Sequence, residues 1–365
     1  MRLELVPRTR PSAVWAVLSP FLAIALTAAL GFVLFTLLGV DPFRALYIYF
    51  VEPLTAAWSL EELLVKASPL ILIAVGLSVC FRANVWNIGA EGQFTVGALF
   101  GAALPILLPG WESPLVLIPM LFLGMLGGAL FGAIPALLKN RFGANEILTS
   151  LMLTYVALLL LDWTVRGPWR DPMSFNFPES RLFDDAATLP LLTERGRLHI
   201  GIFFGLIAAA FVAWRLNFTV QGFGVRLVGQ APRAARFSGF DQRRITLAVF
   251  LFSGALAGLA GITEVAGPIG QLRPEISPGY GFAAIIVAFL GRLSPVGIIF
   301  AGLLLALTYL GGEAAQVTAG LSDEVTRVFQ GSLLFLILAC DTLVRYRVRL
   351  RPAPAAAAAR EPPRG

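Results

Sequence analysis

The chain has 365 residues, of which 57% are hydrophobic and 14% charged, with a formal net charge of +6. A water-facing globular surface carries about 25% charged residues, so a soluble domain is excluded, and the apolar content excludes a disordered chain. The apolar runs are continuous, unlike the roughly 10-residue alternating segments of an outer-membrane barrel, and point to an all-α, polytopic helical bundle in a membrane.

A helix needs about 20 apolar residues to cross the hydrocarbon core. That ruler predicts spans near 14–39, 62–81, 88–108, 114–138, 146–165, 199–216, 245–265, 279–291, 295–312 and 325–344, about ten transmembrane helices in all. The segment 279–291 is short and reads as a half-helix or part of a re-entrant hairpin. Residues 1–13 form a cytoplasmic N-terminus, 14–345 the transmembrane domain, and 346–365 a disordered cytoplasmic tail rich in Pro, Ala and Arg. The first span ends in Gly39-Val40-Asp41-Pro42 without a small-residue cleavage pattern, so it reads as a retained anchor.

Charge sets the orientation. Arg2, Arg8 and Arg10, the loop 217–244 with Arg226, Arg233, Arg236, Arg243 and Arg244, and the tail opening with Arg345, Arg347, Arg349 and Arg351 all carry a basic excess. Cytoplasmic segments carry such excess, which places both termini and the 217–244 loop inside. The loop 166–198 balances Arg166, Arg170, Arg181, Arg195 and Arg197 with Asp171, Glu179, Asp184, Asp185 and Glu194, and is expected outside. The basic residues are nearly all arginine, Lys66 and Lys139 being the only lysines; with the high Ala and Gly content this suggests a GC-rich bacterial genome.

Several chemistries are missing. The single histidine, His199, and the two cysteines, Cys80 and Cys340, do not make a metal cluster or a disulfide framework. His199 is expected at the outer mouth of a span, solvated at the interface; the cysteines read as small buried thiols. Neither lysine follows a glycine, so the chain holds no phosphate-binding P-loop. If ATP drives transport, another polypeptide hydrolyses it. No His-Glu-x-x-His or Gly-x-Ser-x-Gly appears, which disfavours an intramembrane hydrolase.

Four segments carry information. In Asn84-Val85-Trp86-Asn87-Ile88-Gly89-Ala90-Glu91-Gly92-Gln93, the residues Asn87, Glu91 and Gln93 fall within two turns, with Asn87 and Glu91 on one face at i, i+4. A carboxylate in a membrane segment costs several kcal/mol unless it faces a cavity or a partner, and Gly89 and Gly92 make the backbone breakable. Polar side chains on such backbone describe a pore-lining element; a structural buried hydrogen bond from Glu91 is the coexisting alternative. The segment 143–150 opens the fifth span with Asn145 as N-cap, Glu146 in the first turn and Thr149 pointing on inward. Capping explains Asn145 and Glu146, and a contact with a partner or the pathway stays open.

The inside loop 222–240 is punctuated by glycines. Pro232 suits the first turn of a short helix that Gly239 ends, carrying Arg233, Ala234, Ala235, Arg236, Phe237 and Phe240. Charge and aromatic anchors on a discrete knob suit a partner's groove; an interfacial lipid-bound helix is the alternative. The last segment runs from 253–261, where Gly254 and Gly258 at four-residue spacing let helices approach closely, to Ser277-Pro278-Gly279-Tyr280-Gly281-Phe282. Glu264 and the Gly/Pro break before Phe282 suit the lining of an entrance. Trp86, Phe94 and Phe282 are candidates to stack on a flat ligand.

These segments, in this order, resemble the permease subunits of bacterial ATP-binding-cassette importers of the branched-chain amino acid/simple sugar permease superfamily. The resemblance is to the nucleoside/simple-sugar group that works with basic-membrane-protein-type binding lipoproteins. Asn87-Ile88-Gly89-Ala90-Glu91-Gly92-Gln93 looks like that group's hallmark, as do residues 228–236 and 277–282, and the likeness covers roughly 15–345. One departure is Ala231-Pro232 where the family often reads Asn-Pro, so the short helix lacks a capping side chain.

The resemblance implies a second permease subunit, an ATPase inside that uses ATP, and an extracytoplasmic substrate-binding protein, all at the bacterial inner membrane, with no cofactor, metal or nucleic acid bound by this chain. It implies that Arg226, Gly229, Pro232, Arg233, Ala234, Ala235, Arg236 and Gly239 form the ATPase-coupling element. Nucleosides are the leading cargo, simple sugars the next; a branched-chain amino acid would want a buried arginine for its carboxylate. An ion-coupled secondary transporter or channel is the rival from another class, since Glu91, Glu264 and Glu313 offer carboxylates for a proton relay.

Overall fold

The computed structural model describes residues 2–8, 13–111, 113–193 and 196–351. Its helices divide between two compact units, one built from residues 1–46 and 319–365, the other from residues 47–318.

In the first unit, strand β1 (Arg2–Pro7) and helix α1 (Ala13–Leu37) come from the start of the chain, and α2 (Pro42–Phe50) begins there. Far along the chain, α13 (Asp323–Arg345) packs on α1, with Phe35 against Phe329 at 5.6 Å between ring centroids. Strand β2 (Tyr346–Arg351) then pairs antiparallel with β1, in register from Arg2 opposite Arg351 to Pro7 opposite Tyr346. Residues 346–351, the start of the segment expected to be a disordered tail, thus form a strand. Residues 346–351 alternate Tyr, Val and Leu with arginine, a period-two pattern that suits a strand, and Leu3 and Leu5 answer it from β1. The rest of the tail, from 352, lies outside the described residues.

The second unit holds α3 (Ala57–Arg82), α4 (Ala90–Leu107), α5 (Leu117–Phe142), α6 (Glu146–Arg166), α7 (Gly201–Phe218), α8 (Val220–Gln230), α9 (Pro232–Phe237), α10 (Gln242–Glu264), α11 (Tyr280–Leu290) and α12 (Pro295–Ala319). A helix lies at each of the ten predicted spans. Among the described residues seven are long and apolar enough to cross a membrane, and Phe21–Leu37 and Tyr280–Leu290 are shorter apolar helices. The chain is a multi-pass helical membrane protein.

α3 is the core helix: it is apolar all round, buried from Ala67 to Phe81, and packs on α7, α10 and α11. α10 packs against α3, α4 and α5, and there the small residues matter. A Cβ on Gly258 would collide with the Gly124 carbonyl of α5, and one on Gly254 with the Gly128 carbonyl; Gly97 of α4 meets Gly258 in the same way. Without a hydrophobic drive between helices in lipid, such backbone-to-backbone contact supplies the dispersion that holds them together.

Residues 180–189 of the long loop after α6 fold onto the chain that follows α10. Ser180 donates its amide to the Leu272 carbonyl (2.9 Å), Phe183 to Gly270 (2.9 Å) and Leu189 to Ala266 (2.8 Å).

Gly258→Ala should force the α5 and α10 backbones apart and destabilise the protein by about 1–3 kcal/mol. Gly331→Ala on α13, where a Cβ meets nothing within 4 Å, should be neutral or stabilising by up to about 1 kcal/mol. Thermal unfolding of the two variants in detergent checks both.

Candidate functional site

Two helices start inside the second unit rather than at its ends. After α3, residues 83–89 turn back along the bundle, with Asn84 in the left-handed region (φ 55°). They carry Asn87 to Ser253, midway along α10, where Asn87 Nδ2 donates to Ser253 Oγ at 3.2 Å. α4 begins from this level. From the other direction, α10 ends at Glu264 in a π-helical turn (Val265–Ile269) containing Pro268. Residues 270–279 then run without helix until Gly279 (φ 95°) starts α11 beside Glu91. The predicted half-helix is thus an 11-residue helix preceded by irregular chain. Irregular backbone at this depth is tolerated only when buried in protein or lining a cavity, and paired broken helices are the usual frame of a membrane transport site.

The two breaks are closed by one polar knot. Asn87 and Gln93 form a reciprocal amide pair, Asn87 Nδ2 to Gln93 Oε1 at 2.9 Å and Gln93 Nε2 to Asn87 Oδ1 at 3.0 Å. The Gly89 amide donates to Asn87 Oδ1 (3.1 Å), and the Ile88 amide to Ser150 Oγ (3.2 Å) on α6. Glu91 accepts from the Gly281 amide at 2.5 Å, in the first turn of α11, while the Ser277 hydroxyl accepts from the Gly279 and Tyr280 amides just before it. A carboxylate at a helix N-terminus meets both free amides and the positive end of the dipole. Gly281 is needed for the approach, because a Cβ there would overlap the Glu91 backbone.

The expected helical face of Asn87 and Glu91 is therefore corrected. Asn87 stands outside the helix, its side chain competing for the backbone amide that continued helix would use, and the two residues serve different partners. Asn87, Glu91 and Gln93 are all buried, as is Phe94, which lies edge-on to Tyr280 at 6.3 Å. Trp86 is part-exposed and stacks on Phe289 (5.7 Å), which stacks on Phe81 (4.9 Å); Phe282 is part-exposed on α11.

At the end of the unit where α3 finishes, α8 and α9 form the arginine-bearing segment. Pro232 opens α9, no side chain caps it, and Gly239 (φ 82°) ends the turn that follows. Ala235 is buried, while Arg233, Ala234 and Arg236 are exposed and Phe237 is 95% exposed. Gly229 lets α8 press on α3, since a Cβ there would strike the Arg82 carbonyl, and Arg226 is the electrostatic neighbour of Arg82. On the neighbouring turn Asn145 caps α6 by accepting from Ile147 (2.9 Å) and Leu148 (3.4 Å). Glu146 pairs with Lys139 at the end of α5, and the Thr149 hydroxyl donates back to the Asn145 carbonyl (3.0 Å).

A profile of the family described as branched-chain amino acid transport system / permease component matches residues 59–338. The chain belongs to that family. It is 37% identical to the glucose ABC transporter permease protein TsgB13 of Haloferax volcanii, over 95% of this chain and 94% of that one. It is 28% identical to the nucleoside ABC transporter permease protein NupB of Lactococcus lactis, over 88% and 90% of the two chains. It is 29% identical to the guanosine ABC transporter permease protein NupP of Bacillus subtilis, over 78% and 82%. The chain is the permease component of an ABC importer, and that reading stands over the ion-coupled rival.

At the opposite end of the unit, the permease carries a charged cluster that the sequence did not reveal. Arg197 makes two bonds to Glu62, both at 2.8 Å, Thr193 donates to Glu61 (2.9 Å), and Lys66 pairs with Glu313 (2.7 Å). Beside them Glu264 is only 8% exposed and has neither hydrogen bond nor ion pair among the described residues, with Lys66, Arg197 and Glu62 as its electrostatic neighbours. One signal was available: a lysine in an apolar run needs a carboxylate. Among the described residues no group of three His, Cys, Asp or Glu is placed to hold a metal ion.

His199 is not a solvated interfacial residue of the permease. It is buried, its Nδ1 accepts from the Gly201 amide (3.1 Å), and its Nε2 has no partner among the described residues. The glycines at 201 and 267 make room for the ring, since a Cβ on either would touch it. Burial pushes the imidazole down from 6.5 to about 4, so it is neutral at pH 7 with the proton on Nε2.

Asn87→Ala leaves the Gln93 amide and the Gly89 N–H unpaired. Each buried orphan costs about 1–3 kcal/mol, so a lowered unfolding temperature in detergent is expected, whereas an unchanged one would mean that water replaces the pair. For His199 the unfolded chain takes up a proton below pH 6.5 and the native chain only below about 4. Stability is therefore lost as pH falls across that window. His199→Phe should remove this part of the pH dependence, read as the difference between wild-type and variant unfolding curves.

Proposed function

We propose that this permease forms the translocation pathway of an importer for nucleosides or simple sugars in a bacterial inner membrane. In this reading both termini and α8–α9 face the cytoplasm, as the arginine excess requires. The chain crosses about ten times, with residues 270–290 counting as one crossing of irregular chain plus half-helix. A separate ATPase grips α9, a second permease subunit completes the pathway, and an extracytoplasmic binding protein delivers the solute at the end carrying the 166–198 loop.

The observation that carries the reading is the α9 knob. A single turn and a half presents Arg233, Arg236 and a bare Phe237 ring to the outside of the bundle, the combination of charge and aromatic anchor that fills a partner's groove. Its seat touches the core, because Gly229 lets α8 lie against the Arg82 carbonyl at the end of α3. Movement imposed on α9 is passed directly to the core helix. The cargo class is supported by the relatives, whose names give glucose, nucleoside and guanosine, all neutral molecules bearing sugar hydroxyls.

Within the pathway, the roles divide by partnership. Glu264 is the buried carboxylate free to accept from a hydroxyl, with Trp86 and Phe282 as exposed ring faces. Asn87, Glu91, Gln93 and Phe94 act as the seal between the two broken helices, opening when α4 and α11 part. Switching of this kind needs a ligand or partner that binds the two arrangements unequally.

Arg233→Glu combined with Arg236→Glu should leave the permease folded and reduce co-purified ATPase at least tenfold, with ATP-driven uptake into proteoliposomes lost in parallel. A complex and an uptake rate that both survive would refute the coupling role of α9.

A further inference from the structure

A cavity of about 270 Å³ lies between α7, α8 and α10. Its lining includes Val79, Val212, Leu216, Val249 and Phe252, and the first four of these are buried. No carboxylate lines it, and Arg215 and Arg244 are its two charged residues. Neither guanidinium is committed to a buried partner. Arg215 bonds Gln221 at the surface and lies 6.0 Å from the Phe211 ring centroid; Arg244 is exposed and 3.4 Å from Asp241, which is itself half-exposed.

Depth is fixed by the neighbours. α7 and α10 are both long and apolar enough to span a membrane, and the cavity sits where both meet the α8 segment. Trp214, exposed on α7 next to Arg215, belongs to the type of residue that collects at the headgroup level. An apolar slot that opens toward lipid and is rimmed by two arginines at that level has the charge and polarity of an anionic phospholipid, chain inward and phosphate outward.

We propose that this cavity is a binding site for one anionic phospholipid, its acyl chain on Val79, Val212, Leu216 and Val249 and its phosphate held by Arg215 and Arg244. Gly222 and Val225 of α8, and Phe240 after α9, line the same cavity. The lipid would therefore sit between the bundle and the segment that carries α9, so leaflet composition would bear on how firmly that segment is seated.

The full-length permease in detergent, titrated with dioleoyl-phosphatidylglycerol or dioleoyl-phosphatidylcholine and read by native mass spectrometry, tests this. Wild type should retain the glycerol lipid at least tenfold better. Arg215→Gln with Arg244→Gln should retain both equally, and Arg244→Gln alone, at an exposed position that cannot upset the fold, should lose part of the preference. Ala248→Leu, which narrows the cavity, should weaken both lipids without changing their ratio. Arg233→Gln with Arg236→Gln, nearby but outside the cavity, should keep the preference. Equal retention by wild type, a preference that survives the double Arg215/Arg244 change, or one abolished equally by the α9 change would each overturn the site. None of these readouts depends on transport, so they stand or fall separately from the cargo and coupling assignments.

Discussion

A carboxylate inside an apolar bundle is the most demanding group a membrane protein can carry, and the fold of this permease is organised around the one at Glu91. Its oxygen is met by the amide of Gly281 at 2.5 Å, in the first turn of an 11-residue helix. A helix that crossed without interruption would have its N-terminus at the membrane surface, far from this side chain. The interruption of residues 270–279 and the shortness of α11 follow from that single requirement, because only a helix that begins at depth can bring its free amides to a buried carboxyl group.

The second break answers the first. Residues 83–89 return into the bundle so that α4 also starts at depth; the backbone amides of Ile88 and Gly89 that this exposes are taken up by Ser150 and Asn87, and Gln93 holds the Asn87 side chain in place. Contacts between glycines on α4, α5 and α10 allow the helices around the knot to come close enough for these short side chains to reach. Packing and polar satisfaction thus depend on each other. Ile262 and Phe100 seat their side chains in the gaps left by Gly101, Gly124 and Gly127, so the seam is close-packed as well as hydrogen-bonded and is suited to shifting as a unit.

Much of this was legible in the sequence. Apolar runs of helical length gave the helices, Asn145 gave its cap, and Pro232 with Gly239 bracketed α9. These are local signals that need no partner to be read. The misreadings came where a residue's role is decided by something distant. Spacing puts Asn87 and Glu91 on one helical face, but it cannot register that the Asn87 side chain takes the Gly89 amide and holds α4 back to Ala90. His199 looked solvated because nothing near it in sequence says that the chain at Gly267 will close over its ring. Lys66 and Glu313 are 247 residues apart, and their pairing is a product of the fold.

The ladder between β1 and β2 has a bearing on biosynthesis. Its first strand leaves the ribosome long before the edge it must pair with, Tyr346–Arg351. Until then β1 has unanswered amides and α1 lacks the α13 surface that covers it. Assembly of that unit therefore waits for the synthesis of α13 and β2, so a chain truncated before residue 346 lacks the strand that pairs with β1.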